Sequence, residues 1–321
     1  MQQRGVVAAL ERHQVGVYLA AMVLGALLGW AAPSAGSGLG PLINPVLGAL
    51  LYVTFLQVPC ADLARSLRAG RFLAAVLVVD FVVGPLVVAA LVPSLPADPA
   101  LRLGVLLVLL TPCVDYVIVF SRLAGGSSQR LLAATPLLLL LQMLLLPVFL
   151  VAFLGPGLAD VVEVGPFVEA FLGLIVVPLA LAWSTQAWAA RRPAGQRVAD
   201  TAGTAMVPLM AATLLTVVAS QVPALDGRVG DVARVVPHYV AFLVVMPFAG
   251  ALVARTLRLD VPDTRAVVFT GATRNSLVVL PLALALPDHL AVAAVAVVTQ
   301  TLVEVIGMVV CVRVVPRLLP R

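Results

Sequence analysis

Lysine is missing from this chain altogether, and charge of either sign is scarce. Its 20 basic residues, all arginine, and 15 acidic residues make up 11% of 321 positions. Soluble domains are about one quarter charged, so an ordinary water-solvated surface is excluded. Cysteine is rare too: Cys60, Cys113 and Cys311 are scattered without ligand-like spacing, which argues against a disulfide framework or a zinc site. No glycine-rich phosphate loop, nucleophile elbow or HExxH-type motif occurs. These absences leave an enzyme, a cofactor, a metal centre and a nucleic-acid partner without support.

What is present is hydrocarbon, with 62% of the residues hydrophobic. A helix crossing a bilayer needs about 20 apolar residues. On that template ten spans are predicted, at roughly 14–32, 40–60, 72–92, 100–123, 130–153, 166–189, 203–221, 236–256, 265–286 and 289–312. The first is read as a retained helix, because no convincing cleavage site follows it. Arginine divides unequally among the connections. Sixteen fall on one side (Arg4, Arg12, Arg65, Arg68, Arg71, Arg122, Arg130, Arg191, Arg192, Arg197, Arg255, Arg258, Arg265, Arg313, Arg317 and Arg321), against Arg102, Arg228 and Arg234 on the other. The positive-inside rule then puts both termini in the cytoplasm, which an even number of spans requires.

Two spans are interrupted. The fourth contains Thr111-Pro112-Cys113-Val114-Asp115, and the ninth contains Gly271-Ala272-Thr273-Arg274-Asn275-Ser276. Proline removes a backbone donor, and broken backbone at membrane depth survives only against protein or a water-lined cavity. Ionised Asp at a helix centre costs about 2.5–3.5 kcal/mol on insertion scales. The breaks lie about 160 residues apart, and Asn44-Pro45 is echoed by Val207-Pro208 and Gly84-Pro85 by Met246-Pro247, at offsets of 163 and 162. Five spans per half is odd, so the halves would be inverted relative to one another. Paired broken helices in inverted repeats are the pattern of secondary transporters. The expected fold is an all-α membrane protein. Its one transporter domain, 1–321, would hold repeats at about 14–153 and 166–312 and crossing helices 4 and 9.

Candidate residues cluster at the breaks. Thr111 is predicted as an N-cap and Pro112 as the first residue of a half-helix running to Leu123. Cys113 would then lie in a first helical turn, where thiolate character rises and a thiophilic solute finds a soft ligand. Asp115 is a candidate for binding a cation or relaying protons. Arg274 is the sole basic residue inside a span and needs an acid; Asp115, Asp80 and Glu304 are the candidates. Thr273, Asn275 and Ser276 add hydrogen-bonding capacity, and Gln300, Thr301 and Glu304 share one helix face. Asp80 and Glu304 are further proton carriers. Gln142 is expected to make a helix–helix hydrogen bond, and His238 and His289 to lie at span ends.

The stretch TPCVDYVIVFSRLAGG, together with VVDFVVGPLVV in span 3 and FTGATRNS in span 9, resembles the bile acid/sodium symporter superfamily and, within it, the arsenite-efflux (arsenical-resistance) branch. That resemblance implies a multi-pass plasma-membrane carrier, with Cys113 on the cysteine that the branch associates with metalloid transport. Where the sodium-coupled branch would place Glu and Gln in span 9 and Ser-Asn in span 4, this chain has Phe269 or Thr270, Arg274 and Val117-Ile118. Few oxygen ligands remain for a hard cation. Leu277 stands where the arsenite branch carries a Glu. The expected function is metalloid efflux coupled to protons rather than sodium, with the lipid bilayer, a small solute and the coupling ion as partners. The alternative is a carrier of organic anions, possibly sodium-coupled, that uses Arg274 and the half-helix N-termini.

Overall fold

The computed structural model describes residues 13–57, 70–114, 116–155, 169, 172–223 and 229–320. Apart from one isolated bridge, every regular element among them is helical. The main helices are α1 (Gln14–Ala31), α2 (Gly40–Leu56), α3 (Gly70–Ser94), α4 (Pro99–Leu109), α5 (Val117–Leu123), α6 (Ser128–Leu154), α7 (Val177–Ala189), α8 (Pro193–Thr204), α9 (Met206–Gln221), α10 (Val236–Thr256), α11 (Val261–Ala272), α12 (Ser276–Leu284) and α13 (Val292–Leu318). Helices α3, α6, α10 and α13 are each long and apolar enough to cross a membrane, and α8 with α9, bent by 45° at a break, adds a fifth. Large apolar side chains such as Leu86, Leu144, Phe248 and Ile306 are exposed along these elements. Lipid is the solvent that tolerates them.

The chain forms two compact units, each drawn from two separate stretches. The first comprises Met1–Gln57 and Gly165–Val229, the second Val58–Val164 and Gly230–Arg321. In the first unit α1 packs along α9, and α2 packs on α7 and α9. The approach of α1 to α9 depends on small residues, since a Cβ on Gly29 would stand 2.6 Å from the Ala219 carbonyl oxygen. Polar contacts are few. Tyr52 and Thr185 share a hydroxyl hydrogen bond of 2.9 Å. Gln186 Nε2 donates to the carbonyls of Phe55 (3.2 Å) and Leu56 (2.9 Å) at the end of α2.

In the second unit α10 packs on α11, and α13 packs on α4 and α12. Helices α4 and α11 start alike. Asp98 caps α4 by accepting from Ala100 N (2.8 Å) and Leu101 N (3.1 Å), ahead of Pro99. Asp260 caps α11 by accepting from Asp263 N (2.9 Å), ahead of Pro262. Both helices then stop inside their apolar runs. Arg265, assigned to a loop by the hydropathy pattern, is buried within α11. It donates to the carbonyls of Ala124 (2.9 Å) and Leu319 (2.7 Å), the C-caps of α5 and α13. A cation at two helix C-termini is electrostatically favoured.

Candidate functional site at the helix crossing

The two breaks meet. Pro112 and Arg274 form an antiparallel bridge, flanked by hydrogen bonds from Cys113 N to Thr273 O (3.3 Å) and from Asn275 N to Thr111 O (2.8 Å). The register carries its own symmetry, because a shift of 162 positions turns Pro112 into Arg274, Thr111 into Thr273 and Cys113 into Asn275. Each hydrogen bond is therefore converted into the other. Both threonines also bond back to their own helices, Thr111 Oγ1 to Leu107 O and Thr273 Oγ1 to Phe269 O, each at 2.8 Å. Backbone groups exposed by the breaks are thus satisfied by protein rather than left in hydrocarbon.

This bridge corrects the expected half-helix. Thr111 is not an N-cap, Pro112 does not begin a helix and Cys113 does not lie in a first turn; α5 begins only at Val117. Pro112 instead occupies the bridge position whose N–H would make no ladder bond, so its missing donor costs nothing. Cys113 is fully buried in the bridge, and the helix-terminus argument for its thiolate falls away. Asp115 lies outside the described residues. The second break is shorter than the sequence suggests, since Gly271 and Ala272 remain in α11 and Ser276 already begins α12.

Opposite Pro112, the Arg274 N–H is free of the bridge and donates to Glu304 Oε2 at 2.8 Å. Glu304 also accepts from the Tyr116 hydroxyl and from Gln300 Nε2, one turn earlier in α13. Thr301 donates to Ser276 Oγ at 2.7 Å, and Asn275 caps α12 by accepting from Val278 N at 3.3 Å. The buried carboxylate is thereby fixed to both broken helices, through Arg274 and Tyr116.

The Arg274 side chain is completely buried. Its Nη2 donates to the Gly271 carbonyl at 2.6 Å and lies 3.9 Å from Asp80 Oδ1, while the guanidinium sits 4.7 Å above the centre of the Phe242 ring. Of the candidate acids among the described residues, Asp80 and Glu304, Asp80 is the one whose carboxylate is in ion-pair range of the guanidinium. It reaches that place from a π-helical turn, Val79–Val83, where Gly84 N–H donates to the Val79 carbonyl. Pro85 has no N–H for the regular ladder, and a widened turn accommodates the loss. A Cβ on Gly84 would stand 3.3 Å from Arg274 Nη2, so the small residue leaves the guanidinium its room. Thr270 Oγ1 donates to the other oxygen of Asp80 at 2.9 Å. Asp80 and Phe242 are themselves 162 positions apart, so equivalent places of the two halves flank one arginine.

Among the described residues, several buried polar atoms here have no hydrogen-bond partner: Asp80 Oδ1, Arg274 Nε and Nη1, Asn275 Nδ2 and Gln300 Oε1. Unsatisfied buried groups of this kind are few in folded proteins. A crevice too narrow for a water molecule reaches Gln300 and Glu304 between Leu109, Tyr239, Phe242 and Ala272. Gln142 corrects another expectation. It is buried, yet neither amide atom has a hydrogen-bond partner among the described residues. By the same shift it corresponds to Glu304, and the N–H that Arg274 gives to Glu304 has no counterpart on Pro112.

The sequence brought Thr111, Cys113, Asp80, Arg274, Asn275, Ser276 and Glu304 forward, and all stand at or around this crossing in the second unit. It gave no sign of Tyr116 or Phe242, and it named Thr270 only as a residue at a sodium-branch position, not as a partner of Asp80. Phe242 was discoverable from the offset alone, as the position that matches Asp80. Compared with known families, residues 17–319 match the model of the SBF-like CPA transporter family. No curated protein compared with the chain matches it.

Proposed function

The chain belongs to the SBF-like CPA transporter family, and from that premise we propose that this multi-pass membrane transporter exports arsenite or a related metalloid from the cell in exchange for protons. The observation that carries the reading is Arg274, a fixed cation held between Asp80, the Gly271 carbonyl and Phe242 at the crossing. A sodium ion needs several hard oxygen ligands. Here the unpartnered oxygen of Asp80 faces a guanidinium instead. A proton needs only one carboxylate, and Glu304, joined to both broken helices, is the coupling group. Asp80 and Asp115 are its alternates. Cys113, buried in the bridge, supplies the soft ligand for the metalloid, and Thr111, Asn275 and Ser276 supply hydrogen bonds to its hydroxyl groups.

Ten spans, two inverted repeats in a single domain and cytoplasmic termini belong to the same proposal, with the plasma membrane as its location. The shift-symmetric bridge supports the repeat, as does the way each compact unit draws one stretch from either half. A carrier of organic anions would require the Arg274 guanidinium to leave Asp80 and Gly271 for the solute. Arsenite accumulation in everted vesicles, with and without an imposed pH gradient, tests the proposal. Wild type accumulates metalloid only with the gradient, and Cys113→Ala does not. Equal accumulation by both removes Cys113 from the site; competition by organic acids would favour the anion carrier.

A further inference from the structure

At one end of the second unit, away from the crossing, four helix termini enclose a cavity of about 380 Å³. It is lined by Arg71 and Phe72 at the start of α3, Arg130 at the start of α6, Arg258 just beyond α10, and Asp260 and Asp263 at the start of α11. Three of these helices, α3, α6 and α10, are long and apolar enough to cross a membrane, so their ends fall where lipid meets water. The arginines belong to the connections that the positive-inside rule assigns to the cytoplasmic leaflet.

The charges are not equivalent. Arg130 is committed to Asp263, whose carboxylate is almost fully buried. Arg71 and Arg258 are exposed and enter no ion pair among the described residues. Asp260 is exposed, and one of its oxygens already caps α11. Among the described lining residues, two cations and one anion therefore remain to face the cavity.

Arg258 is held there against its backbone preference. Its φ is 53°, the one positive value for a non-glycine residue among the described residues. Arg258 N donates to Arg255 O and Leu259 N to Ala254 O, each at 3.0 Å. That is a Schellman cap, with arginine where glycine is usual. A left-handed non-glycine residue is strained, and strain of this kind concentrates at functional positions. Glycine would fit this cap with less strain.

We propose that this cavity holds the headgroup of a membrane phospholipid bearing a primary amine. Its phosphodiester lies between Arg71 and Arg258, its ammonium meets Asp260, and Phe72 borders the start of the acyl region. Two arginines alone would suit any phosphate. Asp260 beside them favours a headgroup that also brings a hydrogen-bonding cation. The site is independent of the transported solute.

Native mass spectrometry of the purified full chain, given phosphatidylethanolamine, phosphatidylcholine or phosphatidylglycerol in turn, tests the assignment. Phosphatidylcholine keeps the phosphate but has no N–H, and phosphatidylglycerol has no amine. The wild type retains phosphatidylethanolamine about fivefold better than either, the scale of one charged contact near a membrane surface. Arg258→Gly loses that retention while its melting temperature stays the same or rises, because glycine suits the cap. Asp260→Asn keeps a capping side chain yet binds the three lipids alike. Equal retention of all three by the wild type overturns the proposal, as does undiminished retention by Arg258→Gly. Preference for phosphatidylglycerol overturns the amine assignment. Displacement of lipid by inorganic phosphate or soluble phosphoethanolamine at comparable concentration overturns the lipid source.

Discussion

The two units are built from the same apolar material but hold themselves together differently. Among the described residues, the buried polar side chains of the first are Thr54, Thr213 and Thr216. Those of the second include Asp80, Asp263, Arg265, Arg274 and Glu304. In the first, close packing of α1 on α9 and a few hydroxyl and amide contacts suffice. In the second, charges lie where unpaired ones would be costly, and they are paired at the crossing or at helix termini. Packing in lipid gains little from apolar burial as such. Apolar burial therefore does not account for the charges of the second unit; their contacts with helix termini and with one another do.

The largest effect should come from separating the ion pair. Arg274→Leu leaves Asp80 buried without its partner and should destabilise the protein by about 3–5 kcal/mol, read as a lower melting temperature in detergent. Adding Asp80→Asn should recover part of that loss, and the double-mutant cycle measures the coupling. Glu304→Gln keeps the shape and an acceptor for the Arg274 N–H but removes the titrating group. It should stay folded, at a cost of about 1–3 kcal/mol, while losing flux driven by a pH gradient. In the first unit, Tyr52→Phe should cost only about 0.5–1.5 kcal/mol and leave the pH dependence of flux untouched. If Tyr52→Phe alters that dependence as strongly as Glu304→Gln, the contrast between the units is wrong. Smallest, and opposite in sign, is Gln142→Leu. Removing a buried amide with no partner should stabilise by about 1 kcal/mol, measured by the same melting assay.

Much of this was legible in sequence. Proline, threonine and a lone arginine inside apolar runs marked both breaks, and the expected span at 236–256 coincides with α10. The offset near 162 already held the register of the bridge. The start of the second half-helix was not legible. Proline favours both a first helical position and a backbone site that needs no donor, and only the partner strand around Arg274 decides between them. Neither was the partner of Arg274, since Asp80 reaches it through a π-helical turn that hydropathy does not report. The division into two units was also hidden. Apolar periodicity says that a helix is covered, not which helix covers it.

In the proposed function Arg274 stands where a coupling cation would otherwise be needed, and transport runs on protons. Purified protein in liposomes, loaded with arsenite under an imposed proton gradient or an imposed sodium gradient, tests this directly. Metalloid flux should follow the proton gradient, ignore sodium and disappear in Glu304→Gln. Flux driven by sodium at equal pH on both sides would contradict it.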